Sequence, residues 1–194
     1  MTSRHAYLPT RLALSDEQRG GNPFDQLACL APADAIILRH YEMPTRERAE
    51  LAQALRLASR SIGVRLLIAG DRQLAHHVKA DGLHLPRWLL KQGRVWRCGM
   101  KPGFMITAAA HNETELLAAG RANVDAALLS PVFPTESHPG TKILGPVRFA
   151  ALASRCHVPV YALGGATPAS MQRLANVENL AGWAAISGTK GTSR

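Results

Sequence analysis

Apolar residues in this chain come in short blocks that mostly end on polar residues or glycines. The blocks are Leu12 to Ser15, Ala35 to Leu38, Val64 to Ala69, Asp81 to Leu85, Met105 to Ala110, Val124 to Leu129, Val158 to Leu163 and Ala181 to Ile186. Nearly continuous apolar blocks of this length predict strands buried on both faces. Between them the period changes. Ala49, Ala52, Leu55 and Ala58/Ser59 recur at helical spacing from Thr45 to Ser61, with Gly63 as the stop. Thr45 is a candidate cap, although Arg48 in the third place after it makes no capping box. Further helices are predicted over Phe24–Leu30, Gln73–Val78, Trp88–Lys91 and Glu113–Ala122, the last capped by Asn112. Two more run from Pro146 to Ser154 and from Pro168, behind Thr167, to about Ala175.

Eight strand blocks, most followed by a helix, predict parallel strands joined by helical crossovers. A single α/β domain over residues 1–194 follows, folded as a compact (β/α)8 TIM barrel with short or missing helices and little after the eighth strand. A doubly wound open sheet is the alternative. No internal repeat stands out.

Composition narrows the class. An apolar fraction of 46% and a charged fraction of 19% describe a globular chain. No apolar run is long enough for a membrane span, and Met1 to His5 leads into no signal-like segment, so a cytoplasmic protein is expected. Cys29, Cys98 and Cys156 form no CxxC, which argues against a disulfide framework or a zinc site. The net charge of +9 raises nucleic-acid binding. However, the arginines are scattered through helical stretches (Arg46, Arg48, Arg56, Arg60), so a solvated basic surface or attraction of a small anionic substrate fits better.

In a barrel the chemistry sits at the carboxyl ends of the strands. Those ends carry Ser15-Asp16, Arg39, Asp71-Arg72, His111, Ser130 to His138, Gly164-Gly165 and Ser187-Gly188. Glycines after strands seven and eight fall where barrels bind phosphate through backbone N–H groups. Thr135 and Ser137, in a loop bounded by Pro134 and Pro139, can add hydroxyl donors. Arg39 can grip a diphosphate with its fork. Asp71 is either a ligand for Mg²⁺ or a loop carboxylate paired with Arg72. His40 and Tyr41 can line the pocket. His84 reads as a hydrogen-bonded interior histidine, His76-His77 as a solvated helix face, and the tryptophans as packing.

Five motifs taken in order resemble the thiamine phosphate synthase/TenI superfamily: Ile68 to Arg72, Ala80 to Leu85, Ser130 to Thr135, Ala162 to Gly165 and Ala185 to Ser187. The resemblance runs from about Leu12 to Ser187 and implies a (β/α)8 barrel. It also implies a transferase that joins hydroxymethylpyrimidine diphosphate to hydroxyethylthiazole phosphate with release of pyrophosphate. On the thiazole phosphate side it assigns Thr135 and Ser137 as the hydroxyl pair, Gly165, beside Gly164, as the phosphate-loop glycine, and Ile186 and Ser187 as the last backbone contacts. On the diphosphate side Arg39 and Asp71 match, the latter as a metal ligand for Mg²⁺. Arg39, Ser130 and His138 are the candidate catalytic groups.

Several positions depart from the family pattern. A lysine is replaced by His138, with Lys142 nearby. A second metal aspartate falls at Leu89, an asparagine at Gly70, and a serine at Ala109. The TenI histidine falls at Pro131. Arg39, Arg72, Arg87, His138 and Lys142 are the cations available to compensate in part. Two functions follow: a divergent synthase, or a barrel that binds thiazole phosphate or thiamine phosphate without joining the substrates. The expected partners are small phosphorylated molecules, with neither nucleic acid nor membrane among them; self-association is left open.

Overall fold

The computed structural model describes residues 7–19, 21–92, 96–135 and 142–186. The strands are β1 (Arg11–Leu14), β2 (Ala35–Leu38), β3 (Arg65–Ala69), β4 (Gly82–Leu85), β5 (Met105–Ala110), β6 (Ala126–Leu129), β7 (Val160–Leu163) and β8 (Leu180–Ala185). They close in sequence order into a parallel barrel, with β8 pairing back onto β1. The helices are α1 (Pro23–Ala28), α2 (Thr45–Ser61), α3 (Arg72–His77), α4 (Arg87–Leu90), α5 (Glu113–Arg121), α6 (Gly145–Ser154) and α7 (Pro168–Met171). A 3-10 turn over Gln172–Leu174 follows α7. The TIM barrel is therefore the fold, and the open sheet is excluded.

The strands read as continuous apolar blocks because each buries both faces. Alternate residues such as Ile36, Leu38, Leu66, Ile68, Leu83 and Ile106 pack outward against the helices. The residues between them, including Leu12, Leu14, Ile37, Leu67, Met105, Leu128 and Tyr161, fill the barrel. Burying one large aliphatic side chain contributes about 1.5–3 kcal/mol, so these two cores dominate the stability. Tyr161 lies fully buried within the barrel, and its hydroxyl donates to the Pro9 carbonyl at 2.5 Å.

Several elements begin later than the sequence predicts, for a local reason. Asp81 and Asp125 stand just before β4 and β6 instead of within them. Asp81 Oδ2 accepts from Leu66 N at 3.0 Å and Asp125 Oδ2 from Ile106 N at 2.7 Å. Each carboxylate takes the place of a ladder carbonyl at the barrel's amino-terminal rim, anchored by Arg56 and Arg97 respectively. Thr45 does not cap α2; Pro44 precedes it, with no side-chain hydrogen bond. Asn112 and Thr167 do cap their helices, and Thr167 forms a capping box with Ser170. The three cysteines are free thiols. Among the described residues no helix is long and apolar enough to cross a membrane.

Candidate active site

All eight strands point the same way, so the residues after each strand share one rim. The first cluster on it joins the ends of β6 and β7. Val132 N donates to Leu163 O at 2.9 Å and Phe133 N to Gly164 O at 3.0 Å, which zips the two loops together. Gly164 and Gly165 both have positive φ, +87° and +64°. A Cβ on Gly165 would stand 2.2 Å from the Pro134 carbonyl oxygen, and one on Gly164 would stand 2.9 Å from Pro131 Cα. Only glycine combines this backbone with so close an approach. No backbone hydrogen bond occupies the N–H groups of Gly164, Gly165 or Ala166 among the described residues. The glycine turn thus packs on the backbone of Pro134, the residue before Thr135. Ile186, on the neighbouring strand end, is held by the buried Gln26 amide, which donates to its carbonyl. Ser137, His138 and Ser187 lie outside the described residues.

A second cluster surrounds the ends of β2 and β3. Arg39 pairs with Asp16 at 3.1 Å, and its backbone N–H donates to Ser15 Oγ at 3.1 Å. Ser15 Oγ also bonds to His40 Nδ1 at 3.0 Å. Tyr41 meets two guanidinium groups, with its ring centre 5.9 Å from Arg39 and 5.8 Å from Arg48. Arg48 is not on a solvated helix face, as the composition suggests; it is buried, and its Nη2 donates to Ala69 O at 2.6 Å. Its partner at the strand end is Asp71, at 3.7 Å. Arg72 does not pair with Asp71 either, and donates instead to the Cys98 carbonyl. Trp88, read as a packing residue, packs beside Tyr41 at the Gly70 backbone with 55% of its surface exposed.

Asp71 is poorly placed for a metal. Its Oδ1 accepts from Leu74 N at 2.8 Å as the cap of α3, and its Oδ2 faces the Arg48 guanidinium. Leu89, at the position of the family's second aspartate, is buried in the outer core. Among the described residues no three His, Cys, Asp or Glu side chains gather to hold an ion. Mg²⁺ needs uncommitted oxygens and a negative field. The residues present do not fit it.

Between the clusters, Ser130 is buried, with Oγ 3.2 Å from His111 Nδ1. The floor carries His84, hydrogen-bonded through Nδ1 to Thr107 Oγ1 at 2.9 Å. Burial, and secondarily the charge of Arg39, lowers the His84 pKa to about 3. His84 is therefore neutral throughout the physiological range. In the unfolded chain it would titrate near 6.5, so below that pH the unfolded state binds the extra proton. The stabilisation is complete above about pH 6.5 and is lost as pH falls toward 3. A His84→Gln variant is expected to lose less stability than the parent on going from about pH 7 to about pH 4.5, as read by urea midpoints. Parallel losses would show that His84 is not the titrating group.

Thr107, Gln26 and Arg48 are absent from the sequence-based site. Arg48 had a signal, because it falls four residues before Ala52 on the stripe that continues through Leu55 and Ser59, all of them buried.

Fold and rim together define a (β/α)8 barrel with its polar groups gathered at the carboxyl ends of the strands, the arrangement of a barrel enzyme. A family model described as thiamine monophosphate synthase matches residues 23–189. The "Putative thiamine-phosphate synthase 2" of Aquifex aeolicus is 31% identical over 82% of this chain and 87% of its own length. The "Thiamine-phosphate synthase" of Chlorobium luteolum is 32% identical over 86% of this chain and 78% of its own. The solved "Thiamine phosphate pyrophosphorylase from Pyrococcus furiosus" superposes with a TM-score of 0.76 at 23% identity, covering 94% of this chain and 87% of that one; this likeness concerns the fold. The chain belongs to the thiamine monophosphate synthase family.

Proposed function

We propose that this barrel is a thiamine-phosphate synthase. It joins hydroxymethylpyrimidine diphosphate to hydroxyethylthiazole phosphate, giving thiamine phosphate and pyrophosphate. The observation that carries the reading is the zipped pair of loops after β6 and β7, where among the described residues no backbone hydrogen bond occupies the N–H groups of Gly164 and Gly165 and the turn packs on Pro134, next to Thr135. In this reading they hold the thiazole phosphate, together with Ser137 and the backbone of Ile186 and Ser187. Arg39, across the mouth, holds the diphosphate.

The chemistry then needs little covalent help from the protein. The pyrimidine's methylene carbon–oxygen bond breaks, and its electron pair leaves with pyrophosphate. The thiazole nitrogen donates its lone pair to the resulting carbocation and forms the new carbon–nitrogen bond. Catalysis comes from alignment of the two substrates and from cations beside the leaving group. A neutral His84 under the site suits this step, since an imidazolium there would repel the developing carbocation. Ser130, His138, Lys142 and Arg87 are the remaining groups proposed to contact the substrates or their charge.

The test is incubation of the purified protein with both substrates, with Mg²⁺ and separately with EDTA, assaying thiamine phosphate and pyrophosphate. Formation of the two in equal amounts supports the synthase. Absence of both at enzyme concentrations equal to substrate overturns it. The second reading, a thiazole phosphate-binding barrel, is favoured by the replacement of metal-side residues by Gly70 and Leu89. Tight binding of thiazole phosphate without turnover would establish it.

A further inference from the structure

Arg48 is a buried cation with incomplete compensation. It projects from the first turn of α2 with only 10% of its side chain exposed. Nη2 is satisfied by the Ala69 carbonyl, whereas Nε is buried with no hydrogen-bond partner among the described residues. The contact to Asp71, at 3.7 Å, is longer than a hydrogen bond, and the other Asp71 oxygen is committed to Leu74 N. Glu17 adds a weaker attraction than Asp71. Removing a guanidinium from water costs several kcal/mol, which a distant, shared carboxylate recovers only in part. A second guanidinium, Arg39, meets the same Tyr41 ring. Two arginines meeting one aromatic ring at a strand end make a receptor for an anion with two charged centres.

We propose that Arg48 and Arg39 together bind the diphosphate, and that Arg48 supplies the charge neutralisation a divalent metal would otherwise bring, so that this barrel takes pyrophosphate esters without a metal. The proposal rests on the synthase reading for the identity of its substrate, but the site can be probed with inorganic pyrophosphate alone. Asp71 then competes with the ligand for Arg48 and is not a metal ligand. The two roles give opposite signs for one conservative change. Asp71→Asn keeps the α3 cap, since asparagine caps as well as aspartate.

Calorimetric titration with pyrophosphate in EDTA is the experiment. The unmodified protein is expected to bind, and Asp71→Asn is expected to bind equally well or several-fold more tightly. Arg48→Met is expected to weaken binding at least about tenfold, with Arg48→Lys in between, because a charge-assisted fork is lost. Binding only when Mg²⁺ is present, loss of binding in Asp71→Asn, or unchanged binding in Arg48→Met would each overturn the proposal. A thermal scan of each variant separates misfolding from lost affinity. If Arg48→Met does not fold, the Asp71→Asn and Arg48→Lys titrations decide. Pyrophosphate binding in EDTA without formation of thiamine phosphate from the two substrates would uphold this site and remove the synthase reading.

Discussion

Replacing Gly165 with alanine is expected to lower affinity for hydroxyethylthiazole phosphate at least about 100-fold, the loss of two or more backbone hydrogen bonds to a charged group. The added methyl would stand 2.2 Å from the Pro134 carbonyl oxygen and 2.8 Å from Phe133 Cβ. Neither neighbour is a flexible side-chain tip that can turn aside. The φ of +64° adds strain of its own for a residue with a Cβ. Relief requires the β7 turn to move away from the β6 loop, breaking the Phe133 N to Gly164 O bond and carrying Thr135 away from the glycine N–H groups. The barrel strands are not involved, so the fold is expected to survive with stability lowered by about 2–4 kcal/mol. Calorimetric titration well below the melting transition measures the affinity, and a thermal scan measures the stability. A folded Gly165→Ala protein that binds the thiazole phosphate as tightly as the parent would remove the glycine turn from the site.

The contrast between the two halves of the site explains what could be seen in the sequence. In the proposed assignment the thiazole phosphate side is carried by backbone, and Gly164-Gly165 after a β-strand block marks such a place in the chain itself. The strand blocks were legible for a related reason: burial on both faces leaves each as a nearly continuous apolar run, with Asp81 and Asp125 at the rim and the mutually hydrogen-bonded His84 and Thr107 as polar exceptions. The proposed diphosphate side depends on side chains from different elements. Arg48 stands on α2, Tyr41 between β2 and α2, and Asp71 after β3. Their meeting depends on the closure of the barrel and leaves no local spacing to read. Composition also misled at Arg48, because an arginine on a helix is ordinarily solvated and this one lies on the buried stripe with Ala52 and Leu55. Asp71 was ambiguous in the sequence between a metal ligand and an ion pair with Arg72. Its packing adds a third role, the cap of α3, and exchanges the partner for Arg48.

Arg39→Met is expected to reduce kcat/KM for thiamine phosphate formation by about 100- to 1,000-fold, the range found when one donor to a developing anion is removed. The fall should lie mostly in kcat, because charge on the diphosphate grows as the carbon–oxygen bond breaks and the missing guanidinium matters most at that moment. Arg39→Lys keeps the charge but neither the fork nor the guanidinium contact with Tyr41, so it should recover only part of the rate. Two side effects need separating from the main one. Asp16, which pairs with Arg39 at 3.1 Å and is mostly buried, would lose its cation and keep only the Gln18 and Arg19 backbone N–H groups as partners. The double variant Arg39→Met with Asp16→Asn removes that charge and should be no faster if the loss is catalytic. Arg39 also helps to lower the His84 pKa, but burial is the larger cause, so His84 should remain neutral near pH 7 in the variant. The pH–rate profile above pH 6 should consequently keep its shape while its height falls. A variant rate within about threefold of the parent would mean that leaving-group charge is met elsewhere on the rim, since a single removed donor ordinarily costs far more.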